Sequence, residues 1–338
     1  METRPVASPA SRGRRPRLRT PRIRSGGWTA FGPIAALLLL IVINALFTRN
    51  FLTPQTLRVN LTQVSTIIIV ATGMTLVIGT GGIDLSVGSL MAIAGALAPL
   101  IFLSHASPLN RPVIGVALAV VIPILVSGAF GLVNGFLITA FQVQPIIATL
   151  VFYLGGRGIA QVMTNGRLQE FHNPDFQYIG MGRPFGVPFQ VIVMLLIVTF
   201  VAWLVKAATF GRYVLAIGGN EPAARLGGVP VDQVKLAVYC ISGLLAGLAG
   251  LIYIAINSSS DANQVGQNME LDAIAAVAVG GTSLTGGRAS IGGTMIGALI
   301  IQLLRTTLLS HGVPDAAARI VIATAIVAAV LLQRSRRN

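Results

Sequence analysis

Charge is scarce in this chain: only 10% of its 338 residues are Asp, Glu, Lys or Arg, where a soluble domain carries about a quarter. Lysine is nearly missing, with Lys206 and Lys235 the only two, each preceded by valine. A phosphate-cradling P-loop needs Gly-Lys followed by Ser or Thr, so the chain has no ATP site of that kind. The single cysteine, Cys240, excludes an internal disulfide framework. His105, His172 and His311 stand far apart and give no metal-ligand spacing. No Ser-His-Asp or Cys-His cluster and no pair of catalytic carboxylates is present, so an enzyme is not expected. Aromatic residues make up 6%, too few to indicate a stacked-ring site.

What is abundant is apolar sequence. Hydrophobic residues are 54% of the chain and the mean hydropathy is +0.80. Runs near the length that crosses a bilayer, about 20 residues, recur from Phe31 onward. The runs 33–47, 57–78, 86–103, 113–141, 145–163, 187–205, 234–257, 271–279, 291–309 and 316–332 predict an all-α polytopic membrane protein of about ten spans, some short or broken.

The net charge of +14 suggests nucleic-acid binding only until its distribution is considered. Residues 1–24 hold eight arginines against Glu2, which is half the total. Proline and serine interrupt them, so 1–27 is expected to be a disordered tail that keeps the amino terminus cytoplasmic by the positive-inside bias. A cleaved signal peptide is the weaker reading, since no A-x-A site follows and more spans do. The membrane domain is then 28–338, in the lipid bilayer, with no nucleic-acid partner. An even span count and the closing RSRRN put both termini in the cytoplasm, 165–188 outside and 206–235 inside. Arg49, Arg58, Arg111 and Arg319 fall on the outer side, so the bias is not uniform.

The stretch GTGGIDLSVGS, 79–89, places Asp84 between two apolar runs. A carboxylate at membrane depth costs roughly 2.5–3.5 kcal/mol on insertion scales and needs a partner, a cavity or a helix end. Gly79, Gly81 and Gly82 break the first helix, and Asp84 is placed to cap the next. Capping ranks ahead of direct solute contact. Broken backbone at that depth is tolerated only inside protein or beside a water-filled cavity, so Asp84, Ser86 and Ser89 are candidate pathway residues. A second break, GGTSLTGGRAS, offers Thr282, Ser283 and Thr285 and loosely echoes the first, as paired broken segments do in transporters. Asn134 and Gln161 within spans and Gln144 at a span end are neutral donors and acceptors, suited to a hydroxylated solute or to helix–helix contacts. Of these, Asn134 and Gln144 join the candidate pathway. Asp261, Asn263, Glu270 and Asp272 read as a solvated loop with Asp272 capping, ahead of a solute vestibule. Gly131/Gly135, Gly243/Gly247 and Gly293/Gly297 form G-x-x-x-G pairs expected to pack helices closely.

In AIGGNEPAARLGGVPV, Asn220 is an N-cap, Glu221 and Pro222 suit a first turn, and Gly227–Gly228 end a helix of about two turns. Standing alone it is marginal. It suits a groove on another protein, or lipid headgroups.

The stretches GMTLVIGTGGIDLSVGS, AIGGNEPAARLGGV and ELDAIAAVAVGGTSLTGGRASIGGTMIGALI resemble the permeases of bacterial ATP-binding-cassette importers for ribose, galactose and related monosaccharides. The likeness covers the chain beyond its basic tail. SSSDANQVGQNMELDAI resembles the furanose-sugar branch, galactofuranose permeases included. The resemblance implies a dimer of this chain or a close homologue in the bacterial cytoplasmic membrane. A periplasmic or surface-tethered sugar-binding protein delivers the solute. ATP and magnesium are held by a separate cytoplasmic ATPase, and this chain carries no cofactor. Gly219, Asn220, Glu221, Ala223, Ala224, Arg225 and Leu226 then correspond to the segment that meets the ATPase.

Overall fold

The computed structural model describes residues 28–103 and 112–335. The arginine-rich segment 1–27, His105 and Arg111 lie outside the described residues. Within them the chain is a helical bundle. α1 is Trp28–Phe47, α2 Pro54–Gly79, α3 Val87–Leu103, α4 Pro112–Ala140 and α5 Pro145–Thr164. A two-residue strand β1, Gln169–Glu170, is followed by α6, Pro174–Met181, and α7, Phe189–Lys206. Next come α8, Thr209–Gly219, α9, Glu221–Leu226, and α10, Val231–Asn257. The chain ends with β2, Ser259–Ser260, α11, Met269–Val279, α12, Ile291–Ser310, and α13, Asp315–Ser335.

α2 and α6 begin where the sequence offers a hydroxyl or amide acceptor ahead of proline. Thr53 accepts from Thr56 N ahead of Pro54, and Asn173 accepts from Phe176 N ahead of Pro174. Proline loses nothing at the first helical position, where its missing N–H has no partner anyway.

Every expected run is helical, but they are not ten equal spans. Among the described residues six helices are long and apolar enough to cross a membrane, and shorter apolar helices cover Gly32–Phe47 and Val87–Leu103. The run 271–279 becomes α11, which has only 11 residues. α6 and α8 were not foreseen, because neither has an apolar run of spanning length.

α2 and α10 form the centre. Every residue of α2 from Val64 to Gly79 is buried, as expected of a helix apolar on all sides. α4, α5 and α7 carry the outer surface, with Leu125, Phe136, Val151, Leu154, Phe200 and Trp203 exposed. Two G-x-x-x-G pairs explain how α4 and α10 pack: a methyl on Gly131 would overlap the Tyr239 carbonyl, and one on Gly243 the Ser127 carbonyl. The third pair lets α12 approach α11, Gly293 against the Gly280 carbonyl and Gly297 against that of Ala276. At the end of the bundle away from α9, β1 pairs antiparallel with β2, Gln169 opposite Ser260. Phe102, Phe171 and Phe176 close a ring cluster there at centroid separations of 5.1–5.6 Å.

Candidate functional site

The two glycine breaks end their helices with the same backbone turn. After α2, Gly81 takes φ +84° and Gly82 N donates to Val77 O at 3.1 Å. After α11, Gly281 takes φ +85° and Thr282 N donates to Val277 O at 3.2 Å. Both are left-handed glycine terminations that return an amide to the last turn.

The breaks also touch each other. Gly287 N donates to Gly79 O at 3.1 Å, and Gly218, at the end of α8, is wedged where a side chain would overlap Gly79 O and Gly287 N together. Gly219 lies beside Gly287, 3.0 Å from where a methyl on Gly287 would stand. The corner between α8 and α9 therefore bears on both broken segments.

Beyond the first break the chain turns inward. Asp84 is fully buried. Its Oδ1 accepts from Ser86 N (3.0 Å) and Ser86 Oγ (2.6 Å), and its Oδ2 from Ser242 Oγ (2.7 Å) on α10. Leu90 N donates to Ser86 O at 2.9 Å, so Ser86 is the capping residue of α3. Asp84 closes the turn from two positions outside the N-cap. Asn134 on α4 donates to Ser86 Oγ at 2.9 Å, and the Ser89 hydroxyl donates to Phe152 O on α5 at 2.6 Å. Asp84, Ser86, Ser89, Asn134 and Ser242 thus form one buried network joining α3, α4, α5 and α10. Hydroxyl and amide donors satisfy the carboxylate. Asn134 Oδ1 and Tyr239 Oη remain without a partner.

The other expected pathway residues lie elsewhere. Gln144 sits exposed ahead of α5 with no capping bond from its side chain. Thr282 is buried and accepts from Ser290 N at 3.2 Å. Ser283 and Thr285 bond to each other at 2.8 Å. These three belong to the second break, beside Gly81 and the α8–α9 corner.

α9 has six residues and forms as its sequence foretells. Asn220 Oδ1 accepts from Ala223 N at 3.0 Å, and Gly227 N returns to Ala223 O at 2.9 Å. Something so short needs outside support, and ion pairs to the start of α10 supply it. Arg225 holds Asp232 through two bonds of 2.7 and 3.0 Å, and Lys235 holds Glu221 at 2.7 Å. The Asp232 hydrogen bond raises the pKa of Arg225 above its ordinary value. Ala224 is buried beneath the helix while Leu226 is 91% exposed. An apolar side chain held outward on a braced helix is suited to a partner's groove.

Five features escaped the sequence reading or were misjudged in it. Ser242, partner of Asp84, is an ordinary serine in an apolar run. Glu270 is buried rather than solvated, its Oε2 unpartnered and facing Gly88. Asp272 does not cap; Asn268, in the left-handed region at φ +63°, precedes α11 and Asp272 lies in its first turn. Arg157 was missed although a cation in the run 145–163 was a visible signal; it donates to Ala262 O (2.9 Å) and Val265 O (2.7 Å). A polar seam along α1, α2 and α12 was also missed. It links Asn44 to Thr307 (2.9 Å), Asn60 to Thr306 (2.8 Å) and Gln63 to Gln302 (2.6 Å), bonds that hold membrane helices together.

Long apolar helices packed around paired broken segments define a polytopic membrane permease. Residues 56–330 match the family described as branched-chain amino acid transport system / permease component, and the chain belongs to that family. It is 42% identical over 308 residues to the ribose import permease protein of Escherichia coli (strain K12), which spans 90% of this chain and 93% of that one. The galactofuranose transporter permease protein of the same organism is 36% identical over 331 residues, 94% of this chain and 93% of its own. The ribose import permease protein of Bacillus subtilis (strain 168) is 39% identical over 307 residues, 90% of this chain and 92% of its own. The resemblance to monosaccharide importer permeases is borne out. No solved structure matches the chain.

Proposed function

We propose that this chain is the permease subunit of an ATP-driven importer that passes a monosaccharide into the bacterial cytoplasm. Identity of 42% to a ribose import permease over 90% of the chain carries the reading. A separate ATPase binds ATP and magnesium and docks on α9 through Asn220–Leu226. A binding protein delivers the sugar at the opposite end, where β1, β2 and α6 lie, and a second permease copy completes the pathway. The α9 end is then cytoplasmic, both termini lie on that side, and the membrane is the inner one. Selectivity rests mainly with the binding protein, because the pathway must release what it admits.

When the two ATPases close and part, α9 moves with them. Gly218 and Gly219 bear on Gly79 and Gly287, so the motion reaches the end of α2 and the start of α12 without an intervening side chain. Packed elements with two arrangements give alternating access in this way.

Reconstitution in proteoliposomes tests the reading. Uptake of D-ribose or another pentose or hexose is expected only with ATPase, ATP and binding protein together. Uptake without nucleotide would make the chain a facilitator and overturn the assignment.

A further inference from the structure

The segment 261–268 between β2 and α11 does not lie over the end of the bundle but dips into it. Gly266 packs against Gly88 and Met91, and Met91 packs against Gly250. Gly250 lies about 10 Å along α10 from Asn257, and Gly88 about 22 Å along α3 from Leu103, at 1.5 Å per helical residue. The tip of the segment therefore sits within the depth of the helices, in a hydrocarbon core about 30 Å thick.

Arg157 fixes it there, donating from α5 to the Ala262 and Val265 carbonyls at 2.9 and 2.7 Å, and Gln161 donates to Asn263 Oδ1 at 2.7 Å. Ala262, Val265 and Gly266 are buried beneath, while Asn263, Gln264 and Gln267 are exposed. Asn263 also donates to Asp261 Oδ1 at 3.0 Å. Non-helical backbone and polar carboxamides at that depth cannot face lipid; they stand only against protein or a water-filled cavity. The outer face of α7, with exposed Leu196, Phe200 and Trp203, has the opposite character and suits lipid.

We propose that Asn263, Gln264 and Gln267, held in place by Arg157, line the sugar pathway and contact the solute's hydroxyl groups. This rests on the importer reading above. Each carboxamide is both donor and acceptor, which matches a neutral polyhydroxylated ring and adds no charge that would retain it. Arg157 acts as a positioning residue, its guanidinium engaged by backbone carbonyls. The buried Asp84 network is then structural support for α3, beside the path and not in it.

Two readouts test this in the full importer with its ATPase and binding protein. With Cys240→Ala as background, Gln264→Cys and Gln267→Cys are expected to react with a charged, membrane-impermeant thiol reagent, while Leu196→Cys and Phe200→Cys on the outer face of α7 do not. This readout needs no sugar. The double variant Gln264→Ala/Gln267→Ala is expected to lower uptake of D-ribose at least tenfold with ATP hydrolysis retained, and Arg157→Lys to lower it less than Arg157→Ala. Failure of both cysteines to react, or their near-complete oxidative cross-linking between two copies, overturns the proposal in favour of a sealed or subunit-facing surface. Unchanged uptake in the double variant overturns it as well. A wild-type importer that carries no monosaccharide under the same conditions instead overturns the importer reading itself.

Discussion

The breaks at 79–86 and 280–290 stop their helices identically and then part ways. Gly81 and Gly281 share a left-handed φ of +84° and +85°, and each is followed by an amide returned to the helix just ended. After the first, the chain sinks and buries Asp84 at 0% exposure under three donors. After the second, it stays by the α8–α9 corner, where Thr282 accepts a single bond, from Ser290 N. Glycine punctuation thus decides that a span ends, and the side chains after it decide how deep the next one starts. A carboxylate with enough fixed donors starts α3 inside the bundle. Hydroxyls with fewer demands start α12 near the α8–α9 corner.

Gly218 is where that comparison breaks most severely, since it touches both segments. Gly218→Val is expected to abolish uptake and lower the melting temperature in detergent, because its side chain overlaps Gly79 O and Gly287 N at once. A variant with wild-type uptake would show that the two breaks need not meet.

Leu226→Asp and Glu221→Lys sharpen the same point from the α9 end of the bundle. Glu221→Lys faces Lys235 and Arg225 with like charge in place of bonds of 2.7 and 3.7 Å. Uptake is expected to vanish in both variants while membrane insertion, measured by fractionation, stays normal. Normal uptake in both removes α9 as the docking helix.

At the first break, Asp84→Leu leaves Ser86 and Ser242 donors buried and unpaired, a loss of about 3 kcal/mol or more. Asp84→Asn keeps an acceptor and is expected to retain most uptake. Equal loss in the two assigns the charge a role of its own.

Gly81→Ala and Gly281→Ala compare the shared turn directly. A methyl at Gly281 meets nothing within 4 Å and one at Gly81 only Thr285 O at 3.9 Å. Each is therefore expected to lose only the left-handed penalty of about 1–2 kcal/mol, with nearly equal shifts in melting temperature. Thr282→Val, which removes a single accepting bond, is expected to cost about 1 kcal/mol, the smallest shift of the set.

The same division runs through what could be read in advance. The Asn220 cap and the Gly227 stop of α9, and the glycines ending α2 and α11, all close bonds within five residues, and their residue types announce them. Ser242 and Asp84 are 158 positions apart, and Arg157 and Val265 108 apart. Nothing local marks Ser242 as a partner. Arg157 did carry a signal, a cation inside an apolar run, but its targets are backbone carbonyls, which no sequence pattern distinguishes. The burial of Glu270 was misjudged for a related reason. An acidic loop between spans looks solvated until the segment is seen to fold back beside α3.

The sequence by itself determined that this is a polytopic membrane protein, where its helices stop and how α9 is capped, because hydropathy and short-range hydrogen bonds are properties of neighbouring residues. Only the tertiary structure decided that the two breaks meet at Gly218, that Asp84 is satisfied from α10, and that 261–268 enters the bundle. Those outcomes depend on how whole helices pack, and small residues permit close approach without naming the helix that approaches.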